Sequence, residues 1–179
     1  MPVVPRSFPS TEIFPSDLCV TRRRPIDNLT TETTNGTGVI DGVRIVIVDD
    51  DPLIRQVLRD IAEGLGAEVL AEADNGQTAI EQAERHHPQL MLLDVSMPVM
   101  GGLPATRYLH EHFPELDIIL ISQYSRKVYA EEALESGAKG YLVKGCVATE
   151  LESAVKAVLD GGTFVSPRLQ ETSPSSTAG

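Results

Sequence analysis

The stretch Arg44–Arg55 reads RIVIVDDDPLIR. Ile45, Val46, Ile47 and Val48 make an unbroken β-branched run, the composition of a strand covered on both faces. Asp49, Asp50 and Asp51 follow at once, and Pro52 opens a segment in which Leu53, Ile54, Val57, Leu58, Ile61 and Leu65 share one helical face. Asp51, directly before a proline at the first helical position, reads by itself as an N-cap or a solvated residue. A strand suited to burial thus delivers three carboxylates to the point where the chain surfaces.

Outward from this stretch the same alternation continues. Apolar runs recur at 67–73 (AEVLAEA), 90–93 (LMLL), 117–121 (DIILI) and 139–143 (KGYLV), with helical spacing between them. Leu151, Ala154, Val155, Val158 and Leu159 make the face of the last helix. Five strands alternating with five helices predict an α/β fold built on a parallel sheet with right-handed crossovers. The runs at 44–48, 90–93 and 117–121 are nearly all apolar and suit central strands. The second strand, with Glu68 and Glu72, and the fifth, with Lys139, Gly140 and Tyr141, suit edges. The predicted order is therefore 2-1-3-4-5, the flavodoxin-like doubly wound arrangement, with the site at the carboxyl ends of strands 1 and 3.

The chain has 179 residues and a formal net charge of -11. Residues 1–40 carry four basic and four acidic side chains, so the excess negative charge lies in 41–179. So acidic a domain is poorly suited to nucleic acid, whose phosphates require clustered Lys and Arg. Cys19 and Cys146 are far apart with no CxxC motif, and His86 and His87 read as a solvated helix end. No apolar run approaches the ~18–20 residues of a membrane span, and the start has no continuous apolar signal region. A reduced, cytoplasmic protein is expected. Residues 1–41, rich in Pro, Ser, Thr, Asn and Gly, read as a disordered or loosely ordered extension in which Arg22–Arg24 is a solvated charge run. The expected domain spans 42–166, followed by a tail over 167–179.

In a parallel sheet the strand ends share one rim. Strand 1 brings Asp49, Asp50 and Asp51 there, strand 3 brings Asp94, strand 4 Ser122 and strand 5 Lys144. Two carboxylates about 4 Å apart repel by roughly 4 kcal/mol at an effective dielectric near 20. Converging acids therefore need a cation or a shared proton. Mg²⁺ suits such a site, because it prefers oxygen ligands, takes one or two carboxylates and shares its shell with water and phosphate. A remaining carboxylate can then attack a phosphoryl group whose charge the metal, Lys144 and Ser122 stabilise.

IVIVDDDPLIR, LLDVSMPVMGGL, ILIS and GAKGYLVK, in this order and spacing, resemble the receiver domain of two-component response regulators over about residues 43–166. The following LDGGTFVSPRL is similar to the end of receivers that continue into a LuxR-type helix-turn-helix domain. The resemblance implies Asp94 as phosphoacceptor, with Ser122 and Lys144 assisting the phosphoryl transfer. Mg²⁺ would be held by Asp49, Asp50, Asp94 and the backbone carbonyl of Ser96. Ser122 and Tyr141 would form the switch, and Met97-Pro98 with Gly101-Gly102 the loop that shapes the site. It further implies a histidine kinase or histidine phosphotransfer protein as phosphodonor, a downstream protein partner, and no direct contact with nucleic acid or membrane. A homodimer on phosphorylation is compatible with it. Such a protein is no enzyme beyond its own phosphoryl transfer and hydrolysis.

Some positions depart from that pattern. Gly145 follows Lys144 where many receivers have proline, and Gln123 with Tyr124 replaces the small residue usual after Ser122, which predicts a crowded phosphoryl site. After Leu169 only QETSPSSTAG remains, so no output domain is expected in this chain. Two other readings compete. Asp49-x-Asp51 also resembles the opening motif of haloacid-dehalogenase-like phosphatases, although Leu53 stands where that family has Thr or Val. The chain also fits a receiver fragment of a DNA-binding response regulator.

Overall fold

Ile45, Val46, Ile47 and Val48 are all fully buried, which sets the opening strand inside the core. The structure is a computed structural model and describes residues 40–169. Most of the expected extension, with Cys19 and Arg22–Arg24, and the tail beyond Leu169 lie outside the described residues. Ile40 is 2% exposed and its N–H donates to the Leu65 carbonyl, so packing starts two residues ahead of the expected boundary at 42.

Strands and helices alternate along the whole domain. They run β1 Arg44–Val48, α1 Pro52–Gly64, β2 Glu68–Ala73, α2 Gly76–His86, β3 Leu90–Asp94, α3 Gly102–His112, β4 Asp117–Ser122, α4 Lys127–Glu135, β5 Gly140–Val143, α5 Val147–Leu159 and β6 Phe164–Val165. A single turn of 3₁₀-helix over Lys144–Cys146 joins β5 to α5. All the strand pairs are parallel, and the order is β2-β1-β3-β4-β5-β6. The predicted flavodoxin-like order 2-1-3-4-5 is therefore present, with one strand added.

That addition corrects the placement of β5. Only β2 is an edge of the pair expected there, because β6 runs beside β5 through Gly140↔Phe164 and Tyr141↔Val165. Gly140, whose composition suits an edge, has a different cause. A Cβ at this position would lie 2.8 Å from Cγ1 of Ile119, so the residue is small because its neighbour strand packs onto it.

The pleat divides the core into two halves. Val46, Val48, Met91, Leu93, Ile118, Leu120 and Tyr141 meet buried residues of α2, α3 and α4. Ile45, Ile47, Leu90, Leu92, Ile119, Ile121 and Leu142 face α1 and α5 on the other side. Burial on both faces explains why the central strands lack polar alternation, and it holds their carboxyl ends at a common level.

Candidate phosphoacceptor site

The turn after β1 is held by its own acids and by the helix that follows. Asp51 is the N-cap of α1, its Oδ1 accepting from the Leu53 N–H at 2.8 Å, with Pro52 at the helix start. Asp51 is thereby committed to the helix, whereas the phosphatase reading needs it beside Asp49. Asp49 Oδ1 accepts from the Asp51 N–H at 3.0 Å. The Asp49 N–H donates to the Ala73 carbonyl, extending the β1–β2 pairing by one residue beyond the strand. Asp50 is exposed, while Asp49 is fully buried.

Asp94 closes β3 at 2% exposure, and its Oδ2 accepts from the Ser96 N–H at 3.1 Å. The loop after it folds back tightly. The Met100 N–H donates to the Pro98 carbonyl at 2.7 Å across Val99, which takes the left-handed φ of 66°. That is the geometry of the strained three-residue turn. A Cβ on Gly102 would collide with the Asp94 carbonyl, so glycine is required where α3 starts against the back of Asp94. The loop sequence thus supports the orientation of Asp94.

Lys144 reaches over from the end of β5. Its Nζ lies 2.7 Å from Asp49 Oδ2 and 3.0 Å from Asp94 Oδ1, bridging the two buried acids. Burial works against its charge, but the ion pairs with Asp49 and Asp94 outweigh that and raise its pKa. Burial pushes the Asp94 carboxyl above its usual value, with Asp49 adding to the rise and Lys144 opposing it.

The acids fit the Mg²⁺ expected of them. Oxygen atoms of Asp49, Asp50 and Asp94 all lie within 4.8 Å of one another. Asp49 Oδ2, although close to Lys144 Nζ, is buried without a well-directed hydrogen bond, which leaves lone pairs for a cation. An all-oxygen donor set with an exposed side at Asp50 suits a hard ion that keeps some of its water.

Ser122 and Tyr141 meet in the β4–α4 loop. Ser122 is 1% exposed, and its Oγ accepts from the Tyr124 N–H at 3.1 Å. The Tyr141 hydroxyl donates to the Tyr124 carbonyl at 2.7 Å. Tyr141 is itself 1% exposed, and burial raises its phenol pKa. Gln123 and Tyr124 are exposed, and the Tyr124 ring packs against Tyr129 of α4 with centroids 4.8 Å apart. The bulk expected to crowd the site thus has its aromatic contact with α4.

The structure brings together Asp49, Asp50, Asp94 and Lys144, and gathers Ser122 and Tyr141 around Tyr124. Arg55, which sequence reasoning misses, also belongs to this region: its Nη1 donates to the Asp49 carbonyl at 2.6 Å. The one signal that could have found it is a cationic residue one helical turn after the acid cluster.

Residues 45–156 match the family model described as the response regulator receiver domain. Among curated relatives, the transcriptional regulatory protein DegU of Brevibacillus brevis is 36% identical over 128 residues, spanning 71% of this chain and 54% of that protein. The chemotaxis protein CheY of Bacillus subtilis is 34% identical over 117 residues, 65% of this chain and 98% of that protein. The structure of a LuxR-family two-component response regulator from Aurantimonas sp. SI85-9A1 superposes with a TM-score of 0.68 at 31% identity, covering 72% of this chain and 93% of that one. The aligned region spans about half of DegU and 61% of the response regulator GacA of Pseudomonas viridiflava. By family match and by relatives, this chain belongs to the receiver domains of two-component response regulators.

Proposed function

We propose that the domain accepts a phosphoryl group on Asp94 in a Mg²⁺-dependent reaction and signals by changing its protein contacts. The observation that carries this reading is the buried Asp94 carboxylate, joined through Lys144 to Asp49 and lying within 4.8 Å of Asp49 and Asp50. Asp49, Asp50, Asp94 and the carbonyl of Ser96 would hold Mg²⁺, which when bound neutralises the acids and the charge on the transferring group.

An Asp94 carboxylate oxygen attacks phosphorus of a phosphohistidine on a kinase or phosphotransfer protein. The new O–P bond forms as the N–P bond breaks, and the departing imidazole nitrogen takes up a proton. Lys144 would pair with a phosphoryl oxygen, and Ser122 Oγ would donate to another after leaving the Tyr124 N–H. The added group carries about 1.5–2 negative charges, enough to reorganise local hydrogen bonds. The downstream partner would be a protein, and the reaction would take place in the cytoplasm.

Intact-mass measurement after treatment with acetyl phosphate and Mg²⁺ tests the proposal. Wild type should gain one phosphoryl group, Asp94→Asn none, and Asp50→Ala should need more Mg²⁺. If Asp94→Asn is still modified while Asp49→Asn is not, the nucleophile lies on β1 and the phosphatase-like reading replaces this one.

A further inference from the structure

Arg55 grips the backbone of the acidic turn from α1. Its Nη1 donates to the Asp49 carbonyl at 2.6 Å, while its Nε pairs with Glu72 Oε2 at 3.1 Å. Glu72 is held in turn by Arg59, whose Nε lies 2.7 Å from Oε1. Burial favours a protonated Glu72, yet the hydrogen bonds from Arg59 and Arg55 prevail and lower its pKa. The carboxylate is therefore a firm anchor. It stands on β2 opposite Ile47, two residues before Asp49 on the neighbouring strand.

We infer that Arg55 is a positioning residue for the Mg²⁺ site, a clamp that fixes the Asp49–Asp50 turn to β2 through Glu72. This rests on the assignment of Asp49 and Asp50 as metal ligands. Mutually repelling carboxylates tend to splay, and a turn held only by its own hydrogen bonds would follow them. Arg55 opposes that motion from below. Its forked, planar group lets it hold a carbonyl and a carboxylate at once, which an ammonium cannot do with the same geometry. Its side chain is 18% exposed, so both packing and hydrogen bonds place it. A cavity of about 240 Å³ opens beside it, bordered by Arg55, Glu72, Ala73, Asp74, Thr78 and Gln82.

Charge and position make opposite predictions. Arg55 is a cation close to the ion site, so on charge alone its removal should tighten Mg²⁺ binding. Loss of the clamp should weaken it.

The test is Mg²⁺ affinity by calorimetric titration of wild type, Arg55→Ala and Arg55→Lys, with melting curves as a fold control. Asp50→Ala serves as the site control. Arg55→Ala should weaken binding about tenfold, the low end of the effect of residues that orient metal ligands. Arg55→Lys, equal in charge but unable to fork, should also weaken binding, by a smaller factor. Should Arg55→Ala fail to fold, Arg55→Lys decides alone. Unchanged or tighter binding in folded variants of a wild type that binds Mg²⁺ overturns the clamp while sparing the metal site. A wild type that binds no Mg²⁺, or binds it equally in Asp50→Ala, removes the metal-site assignment and the clamp with it.

Discussion

Asp94 is held in an environment that disfavours its own charge, because burial and the neighbouring Asp49 raise its pKa against the pull of Lys144. A carboxyl whose native pKa is raised contributes stability that is fully present below its unfolded value and is lost as pH rises through the native one. Asp94→Asn, neutral at every pH, should keep that contribution. In Mg²⁺-free buffer the variant should match wild type near pH 3, below the unfolded value, and exceed it near pH 7. Urea melts at the two pH values give the comparison, and a variant less stable than wild type at neutral pH would contradict the electrostatic account. At this scale much was legible in the sequence. Asp49, Asp50, Asp94 and Lys144 announce themselves because charge at the end of a buried strand is costly unless it is paired or holds a ligand. Arg55 did not, since an arginine on a helix normally reads as solvated, and its partner Glu72 is 17 positions away.

At the scale of elements, β1 to β5 and their helices were readable because long apolar runs and sustained helical spacing leave little choice. Phe164–Val165 escaped because a two-residue strand has no period to detect. Its consequences are larger than its length. Ser166, just beyond it, is 1% exposed, and its Oγ accepts from the Val143 N–H at 3.0 Å while donating to Glu150 Oε2 at 2.5 Å. The Ser166 N–H donates to the Tyr141 carbonyl. The segment after α5 is thus fastened to β5 immediately before Lys144. Ser166→Ala should lower stability by about 1–3 kcal/mol, the usual penalty for a buried group left without its partner. Hydrogen exchange at the Val143 amide should quicken as well. Protection at Val143 equal to that of wild type would show that the strap is not needed to hold β5.

For the molecule as a whole, the flavodoxin-like order is the observed one and brings the predicted strand ends to a common rim, and the charge excess in residues 41–179 is poorly suited to phosphate backbones. Under the proposed function, activation would travel from Asp94 to a surface, and the β4–α4 loop would supply the route. Tyr124 is tied at its N–H to Ser122 and at its carbonyl to Tyr141, while its ring rests on Tyr129 of α4. Drawing Ser122 towards a phosphoryl group breaks the first tie, and the second then resists the movement of α4 alone. Truncating Tyr141 to alanine is a poor probe, because emptying so buried a site costs about 3–5 kcal/mol in packing whatever its role in switching. Tyr141→Phe keeps the ring and removes only the bond to the Tyr124 carbonyl. A neutral hydrogen bond contributes about 0.5–1.5 kcal/mol, so its loss should enrich the rearranged loop roughly twofold to tenfold before any phosphorylation. Amide exchange across Lys127–Glu135 measures this directly. Without a phosphodonor Tyr141→Phe should exchange faster there than wild type, and beryllofluoride should narrow the difference, since both proteins then release the loop. Phosphoryl uptake on Asp94 should remain near wild type. Identical exchange in the two unmodified proteins would mean that the Tyr141 hydroxyl does not restrain the loop, and the path from Asp94 to α4 would have to bypass it.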